Sequence, residues 1–106
     1  MDLESKFKSD LIKEIERQYP GAFVIKTDAN QIQGIPDQLI LYGDRWAMFE
    51  AKRSISSPHQ RNQDYYVGLF NEMSYATFVY PQNKEVFLNE LQQALRSRRK
   101  ARLSQR

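Results

Sequence analysis

The stretch from Ile35 to Lys52 constrains this chain more than any other, because it reads as one tight β-hairpin whose register can be counted. Gly43-Asp44 suits a two-residue turn, with glycine at the position that needs positive φ. If those two residues form the loop, Tyr42 pairs with Arg45, Ile40 with Ala47, Gln38 with Phe49, and Asp37 with Glu50. Alternation then puts Leu39, Leu41, Trp46 and Met48 on one face and Ile40, Tyr42, Ala47 and Phe49 on the other. Both sets are largely apolar, which predicts central strands covered on both sides. The register also sets two carboxylates opposite each other, their Cβ atoms roughly 4.5–5.5 Å apart. Lys52, two residues past Glu50, projects from the same face. Like charges placed opposite destabilise a sheet unless something compensates. A divalent cation is the obvious compensation, since hard cations such as Mg²⁺ take carboxylate oxygens. The hairpin therefore predicts a metal site with an amine beside it.

Around the hairpin the chain reads as α-β-β-β-α-β-α. Leu3, Phe7, Leu11, Ile15 and Tyr19 recur at i+4, with Ile12 widening the stripe, and Pro20-Gly21 ends that helix. Ala22 to Thr27 is rich in strand formers, and Asp28 to Gly34 is a polar loop. Arg53 to Pro58 is a second loop. A helix is expected from about His59 to Met73, carrying Tyr66, Val67, Leu69 and Phe70. Tyr75 to Tyr80 is a strand stopped by Pro81, and strand, helix, strand in series predicts a parallel crossover. A last helix begins near Asn83, with Val86, Phe87, Leu91, Ala94 and Leu95 in a stripe broken by Glu90. Tyr65, Tyr66, Tyr75, Tyr80 and Trp46 are expected mostly in the core. These elements predict an α/β fold, a central mixed sheet with helices on both faces. Nothing in the sequence divides residues 1–95, so they read as one domain, followed by a basic tail over 96–106.

Composition narrows the function classes. Apolar residues at 41% and charged residues at 27% fit a globular protein rather than a disordered one. No apolar run approaches the roughly 20 residues needed to span a bilayer, and the mixed-charge N-terminus is no signal peptide. The expectation is an intracellular, cytoplasmic protein with no membrane partner; for a viral protein the compartment is the host cytoplasm. The absence of cysteine removes disulfides, a thiol nucleophile and Cys-ligated zinc or iron–sulfur sites. A single histidine, His59, rules out a multi-histidine metal site, and no nucleophile elbow is visible. The net charge of +3 hides an asymmetry: six of the sixteen Lys/Arg lie between Arg96 and Arg106, where there is no acid. The other ten face all thirteen Asp/Glu in the rest of the chain. A basic tail of this kind tracks a polyanion or caps a helix C-terminus, and charge alone weighs the two evenly.

Gly34-Ile35-Pro36-Asp37 followed by Phe49-Glu50-Ala51-Lys52 resembles the PD-(D/E)XK nuclease superfamily. The order helix, three strands, helix, strand is similar to that superfamily's restriction-endonuclease-like core. Gln63, an apolar helix, Ser74 and then a strand resemble the VRR-NUC and Holliday-junction-resolvase-like branches, where glycine is commoner at the Ser74 position. The resemblance covers about Leu3 to Pro81.

What the resemblance implies is metal-dependent hydrolysis of DNA phosphodiester bonds by an endonuclease, selective for junctions or other branched structures in some relatives. Asp37 and Glu50 would hold Mg²⁺, with Mn²⁺ able to substitute, and the Ala51 carbonyl is a further candidate ligand. Lys52 would position or deprotonate the attacking water, and Gln63 would orient Lys52 or touch a phosphate. Glu4 matches an acidic position of the first helix that binds metal directly, through water, or not at all; Glu14 is the other candidate there. Arg53, Ser54, Arg96, Arg98, Arg99 and Lys100 are the candidate contacts to DNA. Cutting of two strands implies a homodimer. Small nucleases of this kind are often phage proteins, and no small-molecule cofactor is implied. Two other readings stay open. One is a non-catalytic nucleic-acid-binding or assembly protein that keeps the fold, against which the intact Asp37, Glu50 and Lys52 argue. The other is a partner-binding domain with an accidental motif. Each residue also has a plainer role: Asp37 as a turn acid after proline, Glu50 and Lys52 as an ordinary ion pair, Gln63 as a helix-start residue, Glu4 as an acid favoured by the helix dipole.

Overall fold

A computed structural model describes residues 2–96. Arg98, Arg99 and Lys100, three of the proposed DNA contacts, lie outside the described residues. Helix α1 spans Leu3–Gln18. Its N-cap is Asp2, whose carboxylate accepts the Ser5 N–H at 2.7 Å and so satisfies one of the free donors of the first turn. Leu11 and Ile15 are its buried residues, as the i+4 stripe predicts.

The strands are β1 (Phe23–Lys26), β2 (Gln38–Tyr42), β3 (Arg45–Ala51) and β4 (Ala76–Val79). They form one sheet in the order β1-β2-β3-β4, antiparallel except for the parallel pair β3–β4. The hairpin register is the counted one: Tyr42 pairs with Arg45, Ile40 with Ala47, Gln38 with Phe49. Gly43 has φ +60°, which a residue with a side chain rarely adopts and the two-residue turn requires. Helix α2 runs Gln63–Met73, and a short 3-10 turn (Pro81–Asn83) leads into α3 (Lys84–Ala94).

The sheet is covered on both faces, unequally. Leu11 and Ile15 of α1 and Phe87, Leu88 and Leu91 of α3 pack with Ile40, Ala47, Phe49, Ala51 and Val79. On the opposite face Val67 and Phe70 of α2 meet Met48, Ala76, Trp46, Phe78 and Leu39. Helix α2 lies over β3 and β4. The β1–β2 half of that face is open, leaving Phe23 67% and Leu41 38% exposed. So the expectation that the hairpin strands are covered throughout on both sides holds for one face and half of the other.

Three further details differ from the sequence reading. Helix α2 begins at Gln63, four residues later than expected, because Asn62 sits in the left-handed region (φ 68°) and breaks helical geometry just before it. In α3 the inward stripe is Phe87, Leu88, Leu91 and Leu95, with Val86 exposed. That spacing turns the helix by one position relative to the expected stripe and explains why Glu90 faces out to accept the Tyr75 hydroxyl at 2.6 Å. Tyr65, expected in the core, is exposed. Among the described residues no helix is long and apolar enough to cross a membrane.

Candidate functional site

The site forms where β2 begins and β3 ends. Pairing stops at Gln38–Phe49, and one step further the Asp37 backbone N–H donates to Glu50 Oε1 at 3.1 Å. Glu50 thus turns its carboxylate onto the backbone of the acid opposite it. The Asp37 carbonyl in turn accepts the Thr27 N–H at 3.0 Å, tying the site to the end of β1. Asp37 Oδ2 accepts a hydrogen bond from Lys8 Nζ at 2.8 Å. Asp37 Oδ1 is buried and has no hydrogen-bond partner, the one such side-chain atom among the described residues.

Glu50 is 8% exposed. Burial, reinforced by the Asp37 charge, pushes its carboxyl up to about 7, while Lys52, the Asp37 N–H and Lys8 pull the other way. Burial also disfavours the Lys8 ammonium, but the bond and charge of Asp37, with Glu4 and Glu50 beyond, outweigh it and hold Lys8 above its ordinary value. Burial thus outweighs the pull of both lysines at Glu50, whose carboxyl stays raised with both in place.

Lys52 is buried, and its ammonium is held away from bulk water by protein oxygens. It donates to Gln63 Oε1 at 2.9 Å and to the Pro58 carbonyl at 3.2 Å. Gln63 is buried too, and its Oε1 also accepts the Gln60 N–H at 2.8 Å, so that one oxygen holds two donors. The two loops that carry these residues interlock. Gly34, three residues before Asp37, has φ +95°, and a Cβ there would come within 2.7 Å of Asn62 and 2.8 Å of the Arg61 carbonyl. Only glycine lets the Asp37 loop lie against the segment that delivers Gln63.

The residues singled out by sequence divide cleanly. Asp37, Glu50, Ala51, Lys52 and Gln63 converge, Ala51 as the buried last residue of β3. Arg53 is exposed just beyond them, and Ser54 belongs to a serine turn in which its N–H donates to Ser57 Oγ at 3.0 Å. Glu4 lies one turn before Lys8 on α1 and is half-buried. Glu14 is drawn elsewhere, into an ion pair with Lys84 at 2.9 Å. Arg96 is at the opposite end of the sheet: Arg45, the first residue of β3, donates from Nε to the Ala94 carbonyl at 3.1 Å. At about 3.3 Å per residue that end lies roughly 17 Å from Glu50. His59 stacks on Phe78 with ring centroids 3.9 Å apart and pairs with Asp64, a packed position rather than part of the cluster. Ser74, placed where glycine is commoner in the resembling families, donates its hydroxyl to the Trp46 carbonyl and pins the end of α2 to β3. Lys8 is the residue that sequence reasoning missed. Its spacing to Glu4 is visible in the chain, but nothing local points it at Asp37.

Fold and site together define an α/β domain with two adjoining acids and a buried, amide-held lysine at one end of the central strands of a mixed sheet. Among the described residues no three His, Asp or Glu side chains gather to hold an ion, so the acids here number two. An unpartnered buried carboxylate oxygen beside a carboxyl raised by burial and by its neighbour's charge is a hard-oxygen donor set that fits a small divalent cation, which itself needs few carboxylates. No family model, curated protein or solved structure matches this chain.

Proposed function

We propose that this chain is a metal-dependent endonuclease that hydrolyses DNA phosphodiester bonds on a restriction-endonuclease-like core of the PD-(D/E)XK kind. The observation that carries the reading is the adjoining Asp37–Glu50 pair, in which Glu50 and one oxygen of Asp37 are buried and that oxygen has no donor, with Lys52 held on the same side. The Asp37 and Glu50 carboxylates, with the Ala51 carbonyl, would hold Mg²⁺ or Mn²⁺. When bound, such an ion polarises a phosphate oxygen and makes a bound water more acidic. Lys52 holds a proton at Nζ, aimed by Gln63, and offsets negative charge that grows on the phosphate as the bond breaks. Gln63 is a positioning residue: it sets the Lys52 ammonium rather than reacting itself. Exposed Arg53 and the neighbouring Ser54 would contact backbone phosphates, and the basic segment from Arg96 onward would supply sequence-independent attraction to the polyanion. With little room for a sequence-reading module, recognition rests on DNA shape and structure. One site cuts one strand, so paired cuts require a symmetric dimer. Such a protein works in the compartment that holds its DNA.

The test is cleavage of labelled four-way junction, flap, single-strand and duplex DNA in Mg²⁺, Mn²⁺ or EDTA, by wild type and by Asp37→Ala. The reading expects metal-dependent cutting that falls at least about a thousandfold in Asp37→Ala. Salt-sensitive binding without cutting in any metal would replace it with a non-catalytic DNA-binding role. Neither binding nor cutting would end both.

A further inference from the structure

Asp37 is the residue on which the proposed metal would depend most, yet it already has a cation. Lys8 Nζ lies 2.8 Å from Asp37 Oδ2, and both side chains are about a quarter exposed. The pair bridges α1 and the start of β2, with the second oxygen of Asp37 left unpartnered. Lys8 has another anion within reach. Glu4 is four residues earlier on the same helix, a spacing at which side chains meet, and its charge already acts on Lys8. Among the described residues Glu4 has no ion-pair partner of its own, whereas Glu14 on the same helix is paired with Lys84. Building on the metal reading above, we propose that Lys8 is a built-in competitor for the metal, an ammonium that occupies Asp37 in the ion-free protein and moves to Glu4 when a divalent cation takes the two carboxylates.

The physical reason is charge. A divalent ion and an ammonium cannot share one carboxylate without repelling each other, and the ion gains the Glu50 oxygens that Lys8 does not reach by a hydrogen bond. The lysine offsets the charge of the two adjoining acids when no ion is bound, and the energy of that contact is subtracted from metal affinity. Glu4 then acts on the site without being a ligand: it lowers the cost of displacing Lys8.

The test is calorimetric titration of Mn²⁺ into the full chain at one pH, for wild type, Lys8→Met, Lys8→Arg, Glu4→Gln, the double variant and Asp37→Ala. Met keeps the apolar stem of Lys8 and the helix propensity, and Lys8→Arg keeps the charge. Competition predicts that Lys8→Met binds Mn²⁺ about five- to tenfold more tightly than wild type, with Lys8→Arg within about twofold of it. Glu4→Gln should weaken binding about two- to threefold in wild type and leave Lys8→Met unchanged. Unchanged or weaker binding in Lys8→Met overturns the proposal and makes Lys8 a brace for Asp37 instead. Tighter binding in Lys8→Arg as well overturns it too, because the charge would then be irrelevant. Equal weakening by Glu4→Gln in both backgrounds makes Glu4 a ligand and overturns the exchange. In all three of those results the metal site survives, provided that Asp37→Ala abolishes the heat. If wild type itself binds no Mn²⁺, the metal reading fails and this proposal falls with it.

Discussion

Strand β3 presents two chemically different sides. Ala47, Phe49 and Ala51 point into a layer under α1 and α3 whose buried residues are all hydrophobic. Trp46, Met48, Glu50 and then Lys52 point to the other side, where α2 covers part of the sheet and two ionisable groups are buried. Seven residues of one strand thus contribute to both the main core and the candidate site. Burial of hydrocarbon is self-sufficient, because any apolar neighbour will serve. Burial of charge demands a specific partner for each atom: Gln63 and Pro58 for Lys52, the Asp37 N–H for Glu50, Lys8 for one oxygen of Asp37. The first side supplies stability; the second gives some of it back, as an orphaned oxygen and a raised carboxyl show.

The contrast can be broken experimentally. Phe49→Ala empties a fully buried position against Phe87 and should cost about 3–5 kcal/mol in denaturant unfolding, with little dependence on pH. A cost under about 1 kcal/mol would mean that the hydrophobic side is not the main source of stability. Gln63→Leu removes the acceptor shared by Lys52 and the Gln60 N–H, and should cost about 2–3 kcal/mol together with most of any cleavage. Stability equal to wild type would show that the buried amide does not hold the lysine.

Glu50→Gln should act in the opposite direction. A carboxyl raised from 4.5 to about 7 binds its proton more tightly in the folded chain than in the unfolded one. Its contribution to stability is therefore full below about 4.5 and is lost as pH rises through about 7. In EDTA at pH 8 the glutamine variant, free of that loss, should be more stable than wild type by about 1–2 kcal/mol after solvent screening, with the advantage gone at pH 4. Equal stability at both pH values would remove the strain from this side of the sheet. The smallest effect is expected on the open half of the same face. Phe23→Thr replaces one good strand former by another at an exposed position and should change stability by no more than about 0.5 kcal/mol. A clearly larger loss, or one that grows with protein concentration, would show that another surface covers Phe23 and Leu41 in solution.

Much of the site was legible because it rests on local geometry. The Gly43-Asp44 turn sets the register, the register brings Asp37 beside Glu50, and the two-residue period puts Lys52 on their side. Gln63 was legible as a helix-start glutamine, and its Oε1 accepts a hydrogen bond from Lys52. The less legible parts depend on where separate elements meet. Helix α2 starts late because Asn62 is left-handed, and Asn62 lies against Gly34, a loop residue almost thirty positions earlier in sequence. The turn of α3 that buries Leu88 and exposes Val86 depends on which surface α1 leaves for it.

By itself, then, the sequence determined the strand order within the hairpin, its pairing, the side on which each residue falls and the adjacency of the two acids. Those features follow from backbone periods and turn stereochemistry, which act over a few residues and need no partner. Only the tertiary structure decided that Lys8, twenty-nine residues away, neutralises Asp37, that one oxygen of that aspartate is left without a donor, and that α2 shields β3 and β4 but not β1. Charge compensation and coverage depend on which long side chains reach a point in space, and periodicity along the chain carries no record of that.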